Sequence, residues 1–119
     1  MGVLARFFRR FAESDEERLT DEVRSWCDSI PGTTRIADVK ERVRVRVAGV
    51  VRRITLRPGP EGAESLSVLV TDGTGEITAM WTGRGQIPGL RLGSRVVLEG
   101  VIARERGRLQ IVNPSYDFA

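Results

Sequence analysis

Arg42 to Leu56 reads RVRVRVAGVVRRITL, and the phase of its apolar residues decides how the chain folds. Val43, Val45 and Val47 hold odd positions; after Gly49 the apolar residues Val50, Ile54 and Leu56 hold even ones. The period stays at two while the buried face changes side. A strand that does this carries one extra residue, and glycine takes the backbone angles of a bulge without steric cost, so the bend is expected at Gly49. One long bent strand lets its first half pair in one layer and its second half in another, which is how a small sheet closes on its own core. Arg42, Arg44, Arg46, Arg52 and Arg53 fill the positions that the core leaves over.

Downstream, three further segments alternate in the same way. Leu66, Val68 and Val70 define a second strand, and Asp72-Gly73-Thr74-Gly75 is a strong hairpin signal. Residues Glu76 to Thr82 form the third strand, with Ile77, Ala79 and Trp81 on one face and Thr78, Met80 and Thr82 on the other. The Gly- and Pro-rich run from Gly83 to Gly93 is a crossing loop. A fourth strand runs from Arg95 to Ala103, with a second bend expected at Gly100. Glu105-Arg106-Gly107 turns the chain into a fifth, Arg108 to Val112, which Asn113-Pro114 ends. Tyr116 and Phe118 remain to close the base of a barrel or to pack on an N-terminal helix.

That helix is announced by Ser14-Asp15-Glu16-Glu17, a capping-box pattern, and by Leu19, Val23, Trp26, Cys27 and Ile30 on one face; Pro31-Gly32 stops it. Trp26 and Cys27 read as packing residues. Before it, residues 1–12 place Leu4, Phe7, Phe8 and Phe11 at helical spacing with arginines between them. Two readings stand: the phenylalanines pack on the domain, or they dock on a protein partner, a membrane surface or a second copy of the chain. The expected organisation is an amphipathic helical extension over residues 1–32 and one β-domain over 33–119, with Ile36 and Val39 covering one end.

Composition narrows the chemistry. The 119 residues, 40% hydrophobic, suit one core, and the formal net charge of +3 is mildly basic. All the basic residues but Lys40 are arginine, a side chain suited to phosphate. With no histidine and Cys27 as the only cysteine, disulfides, Cys/His zinc sites and histidine-dependent acid–base chemistry are excluded. No glycine loop of the phosphate-binding GxxxxGK type occurs either. We therefore expect no catalysis, no metal and no cofactor, and a cytoplasmic location with no transmembrane segment.

A helix followed by five strands, the first long and bent, a meander and then a crossing, describes an all-β, five-stranded OB-fold Greek-key barrel. The runs VRVAGVV, LSVLVTDGTGEITAMW, RLGSRVVLEGVI and RLQIVNPSY resemble stand-alone OB-fold nucleic-acid-binding domains, related to the wedge domain of RecG-type helicases and to anticodon-binding OB domains. The shared features are Asp72, Gly73, Thr74, Trp81, Gly83, Arg84, Ile87, Pro88, Gly89, Asn113, Pro114 and Tyr116. The resemblance implies that single-stranded or branched DNA or RNA lies across the second and third strands between flanking loops; with no catalytic constellation in the sequence, the expectation is a non-catalytic binding module with weak sequence preference, held mainly by arginine–phosphate contacts.

On this chain that face offers Ser67, Leu69, Thr78 and Met80, and its surroundings bring Arg52, Arg53, Arg57, Arg84, Arg104, Arg106 and Arg108. Trp81 is the single aromatic candidate for stacking on a base, although it shares its phase with Ile77 and Ala79. The alternative function is a protein-interaction or regulatory module. Leu69 and Met80 would then be a docking patch, or Phe7, Phe8 and Phe11 would hold a partner or a second copy.

Overall fold

The helical face read from the sequence forms an α-helix, α1, over residues 17–29 in the computed structural model of the protein, which describes residues 17–119. Ser14 to Glu16 of the capping box, and Phe7, Phe8 and Phe11, lie outside the described residues. Cys27 is buried, and Val23, Trp26 and Ile30 pack with it, but Leu19 is 61% exposed and is not part of the packed face. The helix ends where the Thr33 hydroxyl donates to the Ile30 and Cys27 carbonyls (2.9 and 3.4 Å) and Gly32 turns with φ +75°. Among the described residues no helix is long and apolar enough to cross a membrane.

Six strands follow: β1 (Arg44–Pro58), β2 (Glu64–Thr71), β3 (Glu76–Thr82), β4 (Arg95–Glu105), β5 (Arg108–Val112) and β6 (Ser115–Phe118). The first half of β1 pairs with β4, from Arg44↔Val101 to Val50↔Arg95. Its second half pairs with β2, from Val50↔Thr71 to Pro58↔Glu64. Val50 is thus where the strand passes from one neighbour to the other. β2 and β3 form an antiparallel hairpin, β5 docks parallel beside β3, and β4 and β5 pair antiparallel, so five strands close a ring in an OB-fold. The β4–β5 hairpin turns on Arg106 and Gly107, both with positive φ (53° and 78°), the geometry that matches the twist of two strands joined by a two-residue turn.

The phase change of β1 is real, but it sits at Arg52. Partners run Val51↔Val70 and then Arg53↔Leu69, leaving Arg52 as the extra residue. Gly49 has a different duty. It faces the core, where a Cβ would fall on Val70 Cγ1 and 2.8 Å from the Thr71 carbonyl oxygen, so only glycine lets the end of β2 cross so closely. A backbone atom cannot swing aside as a side chain can.

Inside the ring, Val47 and Val51 from β1, Leu66, Val68 and Val70 from β2, Ile77, Ala79 and Trp81 from β3, Val96, Leu98 and Ile102 from β4, and Ile111 from β5 make one core. Ile36, in a short 3-10 turn (Ile36–Asp38), and Ile87, in the crossing loop, enter it as well, and Val39 packs at its margin. A fully buried aliphatic side chain contributes about 1.5–3 kcal/mol. Slipping β2 by one residue would therefore exchange Leu66, Val68 and Val70 for Ser65, Ser67 and Leu69 at a cost no local propensity offsets.

The outer face of the β1/β4 layer is buried too. Ala48 and Val97 lie under α1 with Cys27, whose thiol donates to the Ala48 carbonyl (3.3 Å), and the Arg95 guanidinium sits 5.3 Å from the centre of the Trp26 ring. Burial, and then the charge of Asp72, pushes the Cys27 thiol up to about 11 from an ordinary value of 9.0. The folded chain therefore keeps the thiol neutral where the unfolded chain ionises it, and this contribution to stability is lost as pH rises from about 9 to about 11. At pH 8 a thiol reagent is expected to modify native Cys27 at least about a hundredfold more slowly than the urea-unfolded chain, since reactivity follows the thiolate. Equal rates would contradict this packing.

The sixth strand was not among the five read from the sequence. Asn113 (φ 49°) turns the chain, Pro114 is buried, and β6 then adds to β4 through Val96↔Phe118 and Leu98↔Tyr116. Tyr116 meets Trp81 edge-on, with ring centres 5.8 Å apart.

Candidate functional site

The bulge at Arg52 determines what β1 shows on the outside. Beyond it Arg53, Thr55 and Arg57 share the face turned away from the core, and register carries this face across the sheet. Arg53, Leu69, Thr78 and Gln110 stand in one row over β1, β2, β3 and β5, with Thr55, Ser67 and Met80 in the next. Three inter-strand spacings of about 4.8 Å make each four-strand row about 14 Å wide. At one side of the sheet the β4–β5 hairpin brings Arg104, Glu105, Arg106 and Arg108.

Together these residues line a groove of about 1010 Å³, completed by Glu76, Gly107 and Leu109. Five arginines and two glutamates line it, so its charge is net positive. Arg53 and Arg57 form one bank on β1; Arg106 and Arg108 form the other on the hairpin. All four are exposed, and among the described residues none of the four is ion-paired. The floor between them is uncharged: Ser67 is buried, Leu69, Thr78 and Met80 are half-buried, and Gln110 Nε2 donates to Met80 Sδ at 3.7 Å. Exposed guanidinium groups around a floor of hydroxyls and an amide suit a phosphorylated polymer, whose oxygens accept hydrogen bonds throughout.

Most of the residues singled out in the sequence meet here, and three do not. Trp81 is a correction: it is 6% exposed, its Nε1 donates to the Pro114 carbonyl (3.1 Å), and its ring belongs to the core. Arg84 lies at a separate depression with Asn113, Pro114 and Tyr116, and its guanidinium donates to the Tyr116 hydroxyl (3.2 Å). Arg52, on the bulge, does not line the groove. Arg104 does, but its Nε is held by Glu41 (3.0 Å) and its Nη1 by the Gly107 carbonyl (3.3 Å), so it shapes the hairpin wall and is less free than its neighbours.

Sequence reasoning missed Thr55, Glu76, Glu105, Leu109 and Gln110. Thr55 was readable from the alternation itself, which turns Ile54 toward the core and Thr55 outward. Gln110 was not, because its place depends on β5 docking parallel beside β3.

The site is anchored from behind. Asp72, 1% exposed at the β2–β3 turn, accepts from the Ile36 amide (2.9 Å), the Thr74 amide and hydroxyl (2.8 and 2.6 Å) and the Gly75 amide (3.3 Å). Arg24 of α1 donates to the Asp72 carbonyl (3.0 Å) and stands 3.7 Å from its carboxylate; the same guanidinium holds the Asp28 carboxyl below the usual carboxylate range. One buried carboxylate thereby ties the turn, the 3-10 segment and the helix together.

Residues 45–118 match the family model described as an OB-fold nucleic acid binding domain, of the tRNA anticodon type. Comparison with curated protein sequences gives no match. Among solved structures, the chain is similar to a replication factor A related protein from Methanobacterium thermoautotrophicum, with 18% identity and a TM-score of 0.60 over 73% of this chain and 90% of that one. It is also similar to a domain of replication protein A from Methanococcus maripaludis, with 14% identity and a TM-score of 0.61 over 72% and 93%. A replication protein A heterotrimer bound to ssDNA is a further neighbour, with 17% identity and a TM-score of 0.53 over 76% and 67%.

Proposed function

Since the chain belongs to the family of OB-fold nucleic-acid-binding domains, we propose that its arginine-banked groove is where it binds nucleic acid, that the ligand is single-stranded, and that the module is non-catalytic. The observation that carries this reading is the groove over β1, β2, β3 and β5, with exposed arginines on both banks that make no ion pair among the described residues, and a neutral floor between them. The replication protein A relatives among the structural neighbours, one of them bound to ssDNA, support DNA as the first polymer to test. Arginine–phosphate contacts fix position without reading sequence, so sequence preference is weak.

Amide NMR spectra of isotope-labelled protein titrated with a short single strand, as DNA and as RNA, locate the site directly. Shifts are expected at Leu69, Thr78, Met80 and Gln110, with Val23 and Ile30 of α1 unmoved. Shifts confined to α1 or β6, or no shifts with either polymer, would contradict the proposal.

A further inference from the structure

We infer that the groove grips its ligand by the sugar–phosphate backbone alone and, among the described residues, offers the bases no aromatic stacking surface, so that a strand without bases binds as well as one with them. This rests on the single-strand reading above and says which part of the strand is recognised.

The aromatic residues from Trp26 onward all have other places. Trp81 is in the core, with its indole nitrogen spent on the Pro114 carbonyl. Tyr116 and Phe118 are on β6, edge to face with ring centres 5.8 Å apart, and Trp26 is on α1 beneath Arg95. None of them lines the groove.

Across the floor the side chains at the centre of the two rows are Leu69, Thr78, Ser67 and Met80. On the floor itself a base could lie flat only on Leu69 and Met80, since the guanidinium planes stand on the banks. Neither carries a π system, both are half-buried, and the thioether of Met80 already accepts the Gln110 amide.

What the floor does offer are hydroxyl and amide donors and acceptors, and these match sugar and phosphate oxygens. The positive charge stands on the two banks, where a backbone can be held from either side. Stacking on an aromatic side chain is worth about 1–3 kcal/mol per base, about fivefold to 150-fold in affinity, so a site that uses it discriminates strongly against an abasic strand.

The test uses the full chain and two fluorescent strands of about 15 nucleotides, near the upper end of what one OB-fold spans. One is oligo-dT; the other is an abasic phosphodiester of the same length and charge. Anisotropy titrations at low salt are expected to give dissociation constants within about threefold of each other. An abasic strand bound about tenfold or more weakly than oligo-dT would overturn the inference while leaving the single-strand reading in place. If neither strand binds, the single-strand reading itself fails and the inference falls with it.

Discussion

Replacing Asp72 by alanine is expected to destabilise the fold by about 3–5 kcal/mol, the range for removing one member of a buried charged pair. The reason is the number of groups that depend on one carboxylate. The amides of Ile36, Thr74 and Gly75 and the Thr74 hydroxyl all donate to it, and Arg24 faces it with a side chain only 16% exposed. Among the described residues no buried side-chain nitrogen or oxygen lacks a partner, and the alanine would leave several polar groups without one at once. Asp72→Asn keeps an acceptor for Thr74 but removes the charge opposite Arg24, so it should fall between alanine and wild type. Urea unfolding measures both, and the melting temperature of the alanine variant should drop by at least about 10 °C. A loss below about 1 kcal/mol for Asp72→Ala would show that the turn, the 3-10 segment and α1 are held by something else.

The second large effect concerns binding. With Arg53, Arg57, Arg106 and Arg108 all changed to alanine, affinity for single-stranded DNA should fall about thirtyfold to a thousandfold. Four exposed cation–phosphate contacts at about 0.5–1 kcal/mol each give about 2–4 kcal/mol. Stability should hardly change, because these side chains are exposed and make no ion pair among the described residues. Arg104 is deliberately left in place, since its bond to Glu41 makes it part of the hairpin's support. Unchanged affinity in the fourfold variant would move the site away from this groove.

The strands themselves were readable because their apolar residues alternate without ambiguity: Leu66, Val68 and Val70, or Ile77, Ala79 and Trp81, leave one choice of inner face. The bulge was harder. Val50 and Val51 are both apolar, so the pattern alone permits the phase to change on either side of them, and glycine's reputation as a bend residue drew the change to Gly49. The structure gives Gly49 to close packing against β2 and the extra residue to Arg52. β6 escaped notice because it has four residues after a proline and pairs with β4, a strand whose other neighbours already accounted for the fold.

The site divides along the same line. Ser67, Leu69, Thr78 and Met80 followed from alternation on two adjacent strands. Gln110 reaches the groove through the pairing of β5 with β3, segments distant in the chain, and no local period reports that. Trp81 shows the limit in the other direction: its phase assigned it to the core, and its chemistry alone suggested a stacking role.

The claim at the centre of this account is that charge on the two banks holds the ligand, and the salt dependence of wild-type binding to single-stranded DNA measures it most directly. Each neutralised phosphate of a single strand adds about 0.7 to the slope of log affinity against log salt. The four exposed bank arginines therefore lead us to expect a slope near −3, reduced to a small residual in the Arg53, Arg57, Arg106 and Arg108 alanine variant. Binding whose affinity stays flat from low to physiological salt would contradict it.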